Sequence, residues 1–175
     1  IQHHRDGRLI YIQASVNLFK DEMGRPIGLV SVNRDMTERK RAAEALQKST
    51  AEIHDLYNHA PCGYHSIDQD GLIVQINDTE LHWLGYTRAE VIGRLKVTAL
   101  LTPESVLLFQ QALPVFMARG WMKDVELDMA RKDGSIMHIL LNATAIYDDE
   151  GQYQKSRSTL FDMTELQQAQ QAIVE

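Results

Sequence analysis

The stretch Asp35-Met36-Thr37-Glu38 returns as Asp162-Met163-Thr164-Glu165, and its surroundings return with it. Asp6-Gly7 is answered by Asp133-Gly134, and Gly24 in DEMG by Gly151 in DDEG. All three pairs lie 127 positions apart (162 − 35, 133 − 6, 151 − 24). One offset held over three landmarks without a gap marks a duplicated structural unit. Any fold for this chain must build the same local structure twice.

The second copy shows what that structure is. VELDM (125–129) alternates apolar and acidic residues, the period of a strand with one buried face. The Asp133-Gly134 turn leads to a second strand, IMHILLNATAIY (136–147), and DDEG (148–151) to a third, SRSTLF (156–161). The pattern predicts an antiparallel three-stranded meander. In the first copy RLIYIQASVNLF (8–19), DEMG and PIGLVSVN (26–33) supply the second and third strands, and the first strand is expected to be missing. Residues 1–36 thus read as the rear part of a unit whose body precedes Ile1, and the chain as an excised piece of a longer one.

In both copies DMTE stands between a strand and a helical pattern. Asp35 is expected to be the N-cap, accepting from the Glu38 N–H, with Glu38 reaching back in a capping box; Asp162 and Glu165 repeat the device. Thr37 and Thr164 fall inside these junctions. Ala43, Leu46, Thr50, Ile53, Tyr57 and Ala60 then alternate at spacings of three and four, an a/d seam on a linker helix over 37–59 that is on the order of 30 Å long. Ala43, Leu46, Thr50, Ile53 and Tyr57 are the expected dimer seam; a helix lying on its own domain is the other reading. Leu166, Ala169 and Ile173 begin a similar stripe over 166–175.

Between helix and meander, GYHSID (63–68) and LIVQIN (72–77) read as short strands about an Asp-Gly turn. Asn77 with Glu80, and Thr87 with Glu90, are capping-box pairs for short helices ending at Gly85 and near Gly93. Thr102 and Pro103 open a longer helix that Gly120 closes, with Pro114 expected to kink it.

At this point the chain resembles a known family. DGLIVQIN (70–77), WLGYTRAEVIG (83–93), MARKDGS (129–135) and TLFDMTE (159–165), in this order, look like a PAS domain with its C-terminal PAC motif. The resemblance covers 60–165 in full and 1–38 as the rear half of a preceding PAS. It implies an α+β fold, a five-stranded antiparallel sheet in strand order 2-1-5-4-3 with helices over one face and a small pocket beneath. It also implies a sensory role in a larger signalling chain, often a histidine kinase or a diguanylate cyclase.

Composition bounds the alternatives. A 44% apolar and 24% charged chain is that of a globular protein, and a net charge of −6 argues against a nucleic-acid surface. The basic Arg39-Lys40-Arg41 reads as a solvated helix start. No apolar run approaches the roughly 18–20 residues that span a bilayer, and no signal peptide is visible. The single cysteine, Cys62, leaves no internal disulfide or multi-Cys zinc site and suits a reducing cytosol, so the expected location is cytoplasmic.

The cofactor remains unknown, with haem and flavin disfavoured. Flavin-linked relatives carry a reactive cysteine on the helix before the central strands, where this chain has none. Haem-binding relatives ligate iron through a histidine on the long helix, and residues 96–120 contain no histidine. His65 and His82 remain as possible ligands, weighed against ordinary satisfied histidines; the Cys62–His65 pair is too small a set for zinc. His3-His4 read as strand-edge residues, and Asp148-Asp149-Glu150 as a solvated turn. No phosphate loop, metal-binding His-Glu pair or nucleophile elbow is present, so no enzyme is expected. The candidate pocket walls are Tyr64, His65, Ile76, Trp83, Leu84, Ile92, Leu100, Phe109, Phe116, Leu127, Ile139, Leu141 and Phe161, which would equally serve as a filled core. A homodimer and a small-molecule ligand are the expected partners; a ligand-free dimerisation module is the rival reading.

Overall fold

The computed structural model describes residues 2–3, 7, 9–166 and 169. The chain divides into two compact units, Ile1–His54 and Asp55–Glu175. Asp6, Arg8 and Ile173 lie outside the described residues.

In the first unit β1 (Gln2–His3) pairs with β2 (Leu9–Ile10), and β3 (Ile12–Lys20) with β4 (Pro26–Asp35), all antiparallel. The turn between β3 and β4 is held by Asp21, whose Oδ1 accepts from the N–H groups of Met23 and Arg25. Gly24 there has φ +77°, a left-handed conformation that glycine adopts without steric cost. Helix α1 (Thr37–Asn58) follows.

The second unit contains β5 (Gly63–Ile67), β6 (Ile73–Ile76), α2 (Asp78–Leu84), α3 (Arg88–Val91), a 3₁₀ turn (Val97–Leu100), α4 (Pro103–Arg119), β7 (Trp121–Ala130), β8 (Ile136–Tyr147) and β9 (Tyr153–Asp162). The five strands form one antiparallel sheet in the order β6-β5-β9-β8-β7, the 2-1-5-4-3 order expected. β8 shows why one face is covered: Met137, Ile139, Leu141 and Ala143 are buried, and the residues between them are not. Ile73, Ile76, Leu84, Leu100, Met129, Met137 and Leu160 are fully buried beneath the helices. Each such side chain contributes roughly 1.5–3 kcal/mol of burial. Helix starts follow their caps: Thr102 accepts from Ser105 N–H at 3.3 Å, and Pro103 occupies the first turn of α4. α4 runs through Pro114 to Gly120, a left-handed cap.

The offset of 127 is a structural fact as well as a textual one. β4 aligns with β9 end to end, and the pairing Ile12↔Asp35 becomes Ile139↔Asp162. The register slips before Lys20 in one hairpin and before Tyr147 in the other. The first copy is not wholly without its first strand: Gln2↔Ile10 matches Met129↔Met137, so β1 is the end of that strand. The two hairpins differ in burial. Val16, Leu29 and Val32 of the first are more than half exposed, whereas Ala143 and Ser156, the counterparts of Val16 and Leu29, are buried.

Candidate functional site

The covered side of the sheet encloses an apolar cavity of about 20 Å³. That is room for one water-sized guest. Phe109, Leu113 and Phe116 of α4 form one wall, and Leu127, Ile139 and Leu141 of β7 and β8 another. Met122, Met129, Val97, Leu101, Ala143 and Leu160 fill most of the remainder. The polar lining is concentrated on β5 and β9: His65, Ser156 and Ser158, with His65 directly across the ladder from Ser158. A separate surface groove, between the Asp68–Gly71 turn and α4, shares Ile67, Val97, Phe109 and Leu113 with the cavity.

His65 is buried, and its Nδ1 lies 2.8 Å from Oε1 of Glu80 on α2. Glu80 is fully buried, and its other oxygen, Oε2, is the buried side-chain polar atom without a partner among the described residues. Gly63 makes room for it: a Cβ there would stand 3.2 Å from Oε2. The expected capping box at Asn77 is therefore half formed. Asn77 Oδ1 accepts from Glu80 N–H at 3.1 Å, but the Asn77 N–H goes to Tyr64 O at 2.8 Å and Glu80 turns inward to His65. Thr87 and Glu90, with the same spacing at the surface, do close the reciprocal box.

Asn77 is also a hub. Its Oδ1 accepts from Tyr64 N–H as well, and its Nδ2 donates to the carbonyls of Tyr57 and Cys62, each at 3.0 Å. Thr79 donates to the carbonyls of Asn58 and Ala60, and Arg88 donates to Asn58, Asp78 and the Ile76 carbonyl. The last turn of α1 is thereby tied to the start of α2. Tyr57 belongs to this tie: its ring lies 5.7 Å from that of Tyr64, and burial, then the neighbouring Glu80 carboxyl, push its phenol up to about 12. It is half-buried against its own domain and leaves the proposed seam, unlike Leu46 and Ile53, which are 70% and 64% exposed. Ala43 and Thr50 are exposed too, Thr50 donating back to the Leu46 carbonyl.

At the other end, β8 carries the exit. His138 donates its N–H to Thr164 Oγ1 at 3.2 Å, and its carbonyl accepts from Met163 N–H at 2.8 Å. The first copy repeats both bonds, from Tyr11 N–H to Thr37 Oγ1 at 3.0 Å and from Met36 N–H to the Tyr11 carbonyl at 2.7 Å. Capping starts one residue earlier than expected: Asp35 accepts from Thr37 N–H at 2.8 Å, and Asp162 from Thr164 N–H at 2.9 Å. Glu38 and Glu165 are exposed. Nδ1 of His138 bonds to Asp128.

Of the predicted pocket residues, His65, Phe109, Phe116, Leu127, Ile139 and Leu141 meet at the cavity. Ile76, Leu84 and Leu100 are core residues beyond its wall, and Trp83 and Ile92 pack against that core from outside. Tyr64 stacks on Tyr57, and Phe161, next to the buried Leu160, lies in a groove on the outer face of the sheet. Strand alternation separates each of these two from the inner face. His82 is exposed. The sequence reading missed Glu80 as a partner of His65, the Ser156–Ser158 lining, and His138 at the exit. No cluster of three His, Cys, Asp or Glu able to hold a metal occurs among the described residues.

The profile of the PAS domain family matches residues 61–165. The chain belongs to the PAS domain family. It is 26% identical over 91 residues to the phosphoserine phosphatase RsbP of Bacillus subtilis (strain 168), covering 52% of this chain and 23% of that protein. It is 27% identical over 106 residues to the hybrid signal transduction protein dokA of Dictyostelium discoideum, covering 60% of this chain and 6% of that one. The chain thus spans less than a quarter of either relative. The crystal structure of the PAS domain of an HTR-like protein from Haloarcula marismortui superposes with a TM-score of 0.60 at 23% identity, covering 70% of this chain and 98% of that one. The PAS core is a sensory module of the kind that signalling proteins carry, and is itself non-catalytic. Among the described residues no helix is long and apolar enough to cross a membrane.

Proposed function

We propose that this chain is the sensory and relay segment of a larger cytoplasmic signalling protein, of histidine kinase or diguanylate cyclase type. The PAS core, residues 60–165, takes a small ligand in its cavity and passes the change through Asp162-Met163-Thr164-Glu165 to the helix that follows. Residues 1–36 are the rear of a second unit of the same kind, and α1 relays from one to the next.

The observation that carries this reading is the double duty of β8. Ile139 and Leu141 form cavity wall on one face, while His138, beside them, holds Met163 and Thr164. A side-chain shift in the cavity therefore has one residue to travel before it reaches the outgoing helix. Native mass spectrometry of the chain purified from cells tests it. A bound small molecule, lost in the cavity-filling variant Leu127→Trp while the fold is kept, supports the reading. A bare chain whose melting responds to no ligand speaks against it.

A ligand-free dimerisation module is the second reading, favoured by the exposed Leu46, Ile53 and Leu56 of α1 and by the small cavity. Replacing Leu46 and Ile53 with Lys should convert a dimer to a monomer in light scattering; a dimer indifferent to both changes excludes α1 as its interface.

A further inference from the structure

The buried His65–Glu80 pair fixes the hydrogen-bonding character of the cavity. Both side chains are almost wholly out of water, at 3% and 0% exposure. A carboxylate beside a neutral imidazole would bury one uncompensated negative charge, the costliest arrangement available. A net-neutral pair needs two protons. One sits in the 2.8 Å contact between Oε1 and Nδ1. Of the two atoms left for the other, Glu80 Oε2 has no partner among the described residues to accept a hydrogen bond from a proton placed there. We assign that proton to Nε2, the remaining basic atom of the ring. Whether the shared proton rides on nitrogen or on oxygen, Nε2 is a donor. His65 lines the cavity, so the donor belongs to that space.

The surroundings supply no competing charge. Ser156 and Ser158, which share this corner, are neutral, Ser156 already accepting from Ile67 N–H at 3.4 Å. The rest of the lining is aliphatic, aromatic or thioether. Phe109 and Leu113 divide the cavity from the outer groove, whose volume is about 580 Å³. A guest much larger than water requires these two side chains to rotate so that the two spaces join.

We infer that the site selects a small uncharged molecule, mainly apolar, that ends in a hydrogen-bond acceptor held by Nε2–H of His65, with Glu80 as the positioning residue. The inference rests on the ligand reading above and adds the chemistry of the ligand's tip. A charged carboxylate is disfavoured, because the neutral pair offers it no counter-charge.

The test uses the whole chain with histidine labelled by ¹⁵N and a matched pair of probes, acetophenone and ethylbenzene, which differ in the carbonyl oxygen. In the free protein His65 Nε2 should carry a proton, and Glu80→Ala should abolish that fixed signature. Acetophenone should bind about fivefold or more tightly than ethylbenzene, the worth of one hydrogen bond, and should shift the Nε2 resonance. In His65→Leu the preference should vanish while ethylbenzene still binds. An unprotonated Nε2, or equal affinity of the two probes for the unmodified chain, overturns the inference and leaves the ligand reading standing. Failure of both probes to bind overturns both.

Discussion

Replacing Asn77 with Ala should be the most disruptive polar substitution in this domain. The side chain is fully buried and makes four hydrogen bonds: two accepted by Oδ1 from Tyr64 and Glu80, two donated by Nδ2 to Tyr57 and Cys62. Loss of the helix cap costs about 1 kcal/mol. Each of the other three bonds is worth about 1 kcal/mol, with the partners left buried and unpaired. The sum is roughly 4 kcal/mol, a large part of a typical domain's stability. Urea unfolding of Asn77→Ala against the unmodified chain measures it. Asn77→Ser restores the cap alone and should recover about 1 kcal/mol. Asn77→Asp keeps both accepted bonds but turns a buried charge toward two carbonyls, and should be no better than Ala. Hydrogen exchange should accelerate at His59, whose N–H closes the last turn of α1 on Asp55, because that turn loses its tie to the core. A loss below 1 kcal/mol, or unchanged exchange at His59, would refute the view that Asn77 clamps the helix end.

Thr164→Val removes the acceptor of the His138 N–H and should cost about 1 kcal/mol locally; faster amide exchange at His138 with unchanged global unfolding is the expected signature. Glu90 is held down to about 2 from its ordinary 4.5, chiefly by its hydrogen bond from Lys132 and then by those from Thr87. Because the folded value is depressed, its contribution is present above pH 4.5 and lost as pH falls toward 2. Lys132→Met should move the Glu90 carboxyl titration upward and flatten that loss, as followed by carboxyl NMR. Gly63→Ala places a Cβ 3.2 Å from Glu80 Cβ and Oε2, and should cost on the order of 1–3 kcal/mol through overpacking; a neutral melting temperature would mean that Glu80 moves away freely.

What the sequence disclosed was whatever repeats or alternates. The meander and its turns followed from period-2 patterning and the 127-residue echo, and the strand order from the resemblance to the PAS family. What it hid depended on which way a side chain faces when two outcomes share one pattern. Asn77 and Glu80 have the spacing of Thr87 and Glu90, yet only the latter close a reciprocal box. The difference is that the backbone N–H of Asn77 is already taken by the Tyr64 carbonyl, a partner 13 residues away that no local pattern reveals. Phe161 and Tyr64 were misplaced for a related reason: one step along a strand exchanges core for surface. Tyr57 kept the seam's spacing, but it falls on the last turn of α1, where the helix meets its own domain.

The paired latch at Thr37 and Thr164 has an evolutionary consequence. Each strand-to-helix crossing is secured by the same two contacts to the backbone of one residue, Tyr11 just before β3 or His138 in β8. The crossing itself uses that residue's N–H and carbonyl, so tyrosine and histidine serve alike, while their side chains make other contacts, Tyr11 under Lys40 Nζ at 5.9 Å and His138 to Asp128. A gene cut at Met36 or Met163 and rejoined at the other keeps both contacts of the crossing. Such a seam lets units of this kind be exchanged or multiplied without redesigning the joint.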